Sequence, residues 1–430
     1  MIGMNNRPTI LPTLLVLTTA VVYVSTAKFL LAQSGAREHY THGTDLLDHH
    51  DYRLAIREFE EALKMGPPTA EIHNGLAVAL WQAGNLDKAQ QEFEAAIGLN
   101  PGYPEAYNNL GLFLNERDQP DRAIEEFRRA LSIDPRNAKV HNNLGLAFWK
   151  KVSQEHGAWL GHAIDEFRAA LAIQPDSPSI HNNLGLALKY QGDVDEAMAE
   201  FHRALTLKPN YPEAHTNLGS ALEMKGNVQE AAQEFHRALE LNPDSAQAHY
   251  ELGMAYFHRH QLQPAVAELR KAVSLRPNET AFHYSLSHAL EREGQKAEAS
   301  AELQTYLDLQ QSHTAAYRAR LKGDEGMQLV QSHNLLGAVV SFSAAIEANP
   351  NSAQAHNNLG AALSLQGDVS GAVGQFREAI RLDPNYARAH YNLGLALWHA
   401  GRRKESRNEF EKAVSLNPNL EPPPEVEVGR

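Results

Sequence analysis

Pro178-Ser-Ile-His-Asn-Asn-Leu-Gly-Leu-Ala-Leu-Lys-Tyr-Gln-Gly-Asp-Val-Asp-Glu-Ala-Met-Ala-Glu-Phe-His-Arg-Ala-Leu-Thr-Leu-Lys-Pro209 is the stretch that decides the fold. Gly192 ends a first helix where a left-handed cap is wanted. Pro209 stops a second helix and opens the next unit. Small residues at Gly185, Ala197 and Ala204 let the two helices approach at the short end of the usual 8–10 Å spacing. Leu184 and Phe201 fill the space between them.

Working outward, the unit repeats. With Pro178 as position one, histidine stands at position four, and His181, His215, His249 and His283 follow one another at 34 residues. His39 and His73 share that spacing, as do His356 and His390. His141 to His181 is 40, which places six extra residues in the fourth unit, near 150–158. Position eight is Gly43, Gly111, Gly145, Gly219, Gly253, Gly326, Gly360 and Gly394 in other units, with Ala77 and Ser287 as small substitutes. The closing proline recurs from Pro67 to Pro418. One helix pair cannot bury its apolar faces alone, so neighbouring pairs must stack to make a core.

This pattern resembles the tetratricopeptide repeat (TPR), on Leu184, Gly185, Ala197, Phe201, Ala204 and Pro209 and their counterparts, over about residues 36–420. The resemblance implies an all-α, right-handed superhelical solenoid of 11 helix–turn–helix repeats with a concave inner face. Residues 36–313 hold repeats one to eight and residues 319–420 repeats nine to eleven. The eighth repeat is degenerate: Ser287, Tyr306 and Gln311 replace Gly, Ala and Pro. Five extra residues, Thr314–Arg318, follow it, and 314–318 is expected to be a linker or hinge. The proline-containing segment 421–430 is expected to be a flexible tail.

Segment 1–35 stands apart. Pro8 to Ala27 carries no charge and is just long enough to cross a bilayer. A cleaved signal peptide and an uncleaved signal anchor both fit it. Either one exports the repeats, to an extracytoplasmic compartment such as a bacterial periplasm, and confines membrane contact to this segment.

Composition excludes more than it assigns. There is no cysteine, which removes disulfides, thiolate metal sites and cysteine nucleophiles. A formal net charge of −13 argues against nucleic acid as partner. No HExxH, GxSxG, Walker or Rossmann glycine motif is present, and no span between repeats can host a catalytic domain, so the chain is not expected to be an enzyme or to carry a cofactor. The 22 histidines invite a metal reading. Ladder histidines one repeat apart are about 10 Å from each other, whereas ligands of one metal each lie about 2.0–2.1 Å from it. They are therefore expected to be structural.

The binding chemistry lies at positions five and six. Position six is Asn109, Asn143, Asn183, Asn217, Asn358 and Asn392. In this family that position is implied to face the groove. The array is similar to the asparagine ladder in the TPR arm of the O-linked N-acetylglucosamine transferases, which carry a catalytic region that is absent here. An amide offers an acceptor and two donors to a peptide backbone. Repeats about 10 Å apart meet every third residue of an extended peptide that advances about 3.3 Å per residue. The alternative is that these amides bond to a neighbouring repeat. Glu251, Ser285 and Asp324 interrupt the row. Asn108, Asn142, Asn182 and Asn357 at position five are further candidates, with Lys189 and Tyr190 at positions twelve and thirteen. The expected function is a non-catalytic scaffold for protein or peptide partners. A subunit of an envelope secretion or polysaccharide-export assembly, and an in-trans regulatory arm of a glycosyltransferase, are the rival readings.

Overall fold

The computed structural model describes residues 34–154, 158–417, 420 and 422–423. The segment read as signal or anchor, up to residue 33, lies outside these, as does most of the 421–430 tail. No helix among the described residues is long and apolar enough to cross a membrane. The described residues form helices without a strand.

The first unit, Met1–His260, contains α1 (residues 34–48), α2 (Tyr52–Met65), α3 (Ala70–Gln82), α4 (Leu86–Leu99), α5 (Pro104–Glu116), α6 (Pro120–Ile133), α7 (Ala138–Gln154), α8 (Leu160–Ile173), α9 (Pro178–Gln191), α10 (Val194–Leu207), α11 (Pro212–Met224), α12 (Val228–Leu241) and α13 (Ala246–His258). Consecutive helices pack as pairs, and the first helices of successive repeats also touch, α3 on α5 through to α11 on α13. Phe59, Phe93, Phe127, Phe167, Phe201 and Phe235, one per repeat, are fully buried in one continuous core.

The second unit, Gln261–Arg430, contains α14 (Leu262–Leu275), α15 (Thr280–Glu293), α16 (Lys296–Gln331), α17 (Leu335–Ala348), α18 (Ala353–Gln366), α19 (Val369–Leu382), α20 (Ala387–His399) and α21 (Arg403–Leu416). Its cores are smaller and centre on Phe342 and Phe376.

The reason for small residues at position eight is visible. A Cβ on Gly219 would lie 2.5 Å from Phe235 Cε1, closer than carbon atoms approach. At the turn, Gly192 has φ 100° and closes α9, as the spacing predicts.

The histidine ladder is structural, and its mechanism is a hydrogen-bonded clamp rather than ring packing. His181 sits between Glu200 Oε2 on the second helix of its repeat (Nδ1, 2.5 Å) and the Pro175 carbonyl that closes the preceding repeat (Nε2, 2.8 Å). His215 does the same with Glu234 and Pro209. His283 does so with Glu302 and Pro277, and His390 with Glu409 and Pro384. One ring thus ties both helices of its repeat to the turn that closes the preceding one. Among the described residues, no three His, Cys, Asp or Glu converge on a point that could hold a metal ion.

Two irregularities differ from expectation. The expected hinge at 314–318 is not a linker: it lies inside α16, a single helix of 36 residues. α16 supplies the second helix of repeat eight and the first of repeat nine. Gln311 stands where other repeats carry the closing proline, so nothing breaks the helix, and Ala315 and Ala316 favour its continuation. The insertion near 150–158 is partly helical: α7 runs to Gln154 and has 17 residues where α9 has 14. Trp159 then stacks on Phe148 at 5.7 Å, with the Lys151 ammonium 4.2 Å above its ring. Residues 155–157 lie outside the described residues.

Candidate functional site

The asparagines of positions five and six meet across repeat boundaries. Asn109 Nδ2 donates to Asn74 Oδ1 (3.1 Å), Asn143 to Asn108 (2.8 Å), Asn183 to Asn142 (3.0 Å) and Asn217 to Asn182 (2.9 Å). In the second unit Asn392 donates to Asn357 (2.9 Å). The spacing is 35, one repeat plus one residue, or 41 where the insertion intervenes. Asn358 makes no such bond, because position five of repeat nine is Gly323. The row is thus a chain of inter-repeat staples before it is anything else.

The two positions differ in access. Asn108, Asn182 and Asn357 are buried acceptors, 5, 6 and 3% exposed, so they orient their partners and do not themselves present a surface. Asn109, Asn183, Asn217 and Asn392 are half-buried, and Asn143 is buried. Each position-six amide but Asn358 spends one N–H on its staple. A second N–H remains on the same rigidly held group. In Asn109 the carbonyl oxygen accepts from Asn108 Nδ2 (3.3 Å).

A second row runs parallel at positions twelve and thirteen with the same register. Lys150 Nζ donates to the Asn115 carbonyl (2.5 Å) and pairs with Asp118 (3.2 Å). Tyr190, 62% exposed, sets its ring edge-on to Trp149 at 5.4 Å. His258 Nδ1 meets Glu223 Oε1 at 2.6 Å. Lys189 reaches across to Ser220 Oγ (2.9 Å). Asn115 Oδ1 is buried and has no donor among the described residues. In the second unit Trp398 is covered by the Arg403 guanidinium, 3.5 Å from its ring centre.

Glu251 ends the ladder of the first unit. It stands at position six of repeat seven, where repeats three to six carry asparagine. Gln247 Nε2 donates to its carboxylate at 2.8 Å. Burial pushes the Glu251 carboxyl above its usual range, against the opposing pull of Gln247 and Lys189, and the charge of Glu223 adds to the rise. Burial holds the Lys189 ammonium below its usual range, with Glu251 opposing. The face formed by the first helices of repeats five to seven therefore carries opposite charges that are poorly solvated.

The sequence points to Asn109, Asn143, Asn183, Asn217, Asn358 and Asn392 as one set, and the structure brings all but Asn358 into a bond with the preceding repeat. Asn74, Ser220 and Glu223 were missed. A search for polar pairs 35 residues apart, rather than 34, would have found Asn74 with Asn109 and Glu223 with His258.

Family models place this architecture. Tetratricopeptide repeat models match residues 40–104, 79–138, 182–246 and 216–280, 341–373 and 387–420. A model described as TPR repeat matches 160–192 and 362–401. Together they cover well over half of the sequence. A search of curated proteins returns no match. Similar solved structures include YrrB, described as a TPR protein with an unusual peptide-binding site (26% identity, 46% of this chain and 97% of that one, TM-score 0.36). Pseudomonas aeruginosa pilF (21%, 50% and 94%, 0.43) is another. A human IFIT1 dimer with m7Gppp-AAAA (17%, 88% and 89%, 0.45) is a third. The chain belongs to the tetratricopeptide repeat family.

Proposed function

We propose that the chain is a non-catalytic scaffold that holds extended protein segments along the first helices of repeats three to six. The observation that carries this is the stapled asparagine row. Asn109, Asn183 and Asn217 are half-buried and held by their neighbours in fixed orientation, yet each keeps an N–H beyond its staple, while the buried Asn143 links the row between them. Groups fixed before binding lose little entropy when a ligand arrives. Backbone amides recur every third residue at the rung spacing, so the row grips a peptide regardless of its side chains. Lys189 and Tyr190 lie on the parallel row and add polar contacts beside the backbone grip.

The uncharged run from Pro8 to Ala27 supports export or membrane anchoring of the repeats. N-terminal sequencing of the mature protein from membrane and soluble fractions decides between an anchor and a cleaved signal. For the binding itself, titration calorimetry of the full chain with unstructured peptides of unrelated sequence is the direct test. Micromolar binding that tolerates sequence change supports the reading. Absence of binding to every unstructured peptide, with tight binding to one folded partner, overturns it.

A further inference from the structure

α16 carries an exposed row that repeat stacking does not use. Leu303, Leu307, Tyr317 and Leu321 are 41, 46, 56 and 49% exposed, and Gln310 and Thr314, also exposed, complete it. The steps along it are four, three, four, three and four residues. That alternation keeps one line of side chains facing a partner helix. At the same repeat positions elsewhere the residues are covered: Phe201 and Phe235 match Leu303, and Val140 and Ile180 match Leu321, and all four are buried. The row is open here because α16 runs from repeat eight straight into repeat nine, so its second half does not fold back on α15. The cleft between the middle of α16 and the end of α17, lined by Leu307, Gln310, Thr314, Ala344 and Ala348, opens along this row.

The row is symmetric about Ser312. Leu303 and Leu321 each lie nine residues from it, Leu307 and Tyr317 five, and Gln310 and Thr314 two. Two antiparallel copies of α16 related by a twofold axis therefore set Leu303 against Leu321, Leu307 against Tyr317 and Gln310 against Thr314. Over the 18 residue steps from Leu303 to Leu321 the seam is about 27 Å long, at about 1.5 Å per step. Charge within the row is divided between its two halves. Asp308 precedes the midpoint and Arg318 and Arg320 follow it. Antiparallel pairing brings acid toward base, whereas parallel pairing sets like charge against like.

We propose that α16 is the seam of an antiparallel homodimer, and that the occupant of its exposed row is the same row of a second copy. A twofold interface of this kind closes on itself and leaves no free edge for further growth. The fused helix then has a purpose in the assembly: it displaces the ordinary repeat contact to present the seam. The proposal is independent of what the asparagine row binds.

The test uses the full-length chain in mild detergent. Light scattering after size exclusion, over a concentration series, is expected to give twice the chain mass, and Leu307→Glu combined with Tyr317→Glu is expected to weaken self-association at least tenfold. Both positions are exposed, so the helical circular dichroism should be unchanged. The natural chain has no cysteine, which makes disulfide trapping clean. Leu307→Cys and Tyr317→Cys variants, mixed and oxidised, are expected to crosslink with each other, and neither is expected to crosslink alone. A monomer at every concentration overturns the proposal, as it would if residues 1–33 or a different protein covered the row. Crosslinking of either single variant with itself, or a dimer indifferent to the double glutamate variant, also overturns it.

Discussion

Asn217 Nδ2 donates to Asn182 Oδ1 at 2.9 Å, across the junction of repeats five and six and 35 residues apart in sequence. The acceptor is buried and the donor half-buried. Each staple fixes one repeat on the next by a side-chain bond in addition to the apolar contacts beneath it.

Removing an acceptor from this pair should therefore loosen the stack. Asn182→Ala is expected to lower stability by about 1 kcal/mol, the usual net worth of such a bond. A double-mutant cycle with Asn217→Ala should return a coupling of about 0.5–1.5 kcal/mol. Additive effects would show that the bond contributes nothing.

The clamp histidines should be more sensitive. His181→Phe keeps a ring of similar shape but leaves Glu200, 5% exposed, and the Pro175 carbonyl without the ring nitrogens that face them. Glu200 retains Arg203 at 2.6 Å. The expected cost is roughly 1–3 kcal/mol for a buried polar group losing its partner. Denaturant unfolding of the variant checks it, and a neutral or stabilising result would return the ladder to simple ring packing.

α16 gives a third prediction. A continuous helix through residues 314–318 cannot accept proline without losing a backbone hydrogen bond and clashing with the preceding turn, at about 3 kcal/mol. Ala316→Pro should therefore lower the thermal stability of the second unit measurably. A flexible hinge at the same place would tolerate it. Hydrogen exchange across 310–320 reads the same distinction without a mutation.

Much of this was legible beforehand, for a physical reason. The 34-residue period, the position-eight glycines and the closing prolines are each dictated by contacts inside one repeat, as Gly219 against Phe235 shows, so they recur visibly in sequence. Contacts between repeats are less visible. Asn182 and Asn217 occupy different positions of the repeat, so aligning repeats in register hides the pair. The five extra residues at 314–318 looked like a loop because insertions usually are. The informative signal was the missing proline at Gln311, which lets two helices fuse. Glu251 was seen only as a gap in the asparagines. Its interest lies in its burial, which no pattern of letters displays.

Glu251 yields a pH prediction. Burial raises its folded-state pKa above the unfolded value of about 4.5. The native state then holds more protons than the unfolded state between those two values, so stability falls as pH rises through that window. Glu251→Gln removes the titrating group. The difference in Tm between this variant and the parent should move in favour of the variant on going from pH 4 to pH 7. Movement in the opposite direction would mean that Lys189 and Gln247 outweigh the burial of the carboxylate.

The central claim is that the position-six amides grip peptide backbone. Fluorescence anisotropy of labelled unstructured peptides, with the full chain against Asn109→Ala, Asn183→Ala and Asn217→Ala combined, tests it most directly. A parallel variant carrying Asn74→Ala, Asn142→Ala and Asn182→Ala removes the staples of these three and keeps the gripping amides. The account predicts at least a tenfold loss of affinity in the first variant for every peptide, and a clearly smaller loss in the second. Equal affinity of the first variant and the parent, with both folded by circular dichroism, would contradict it.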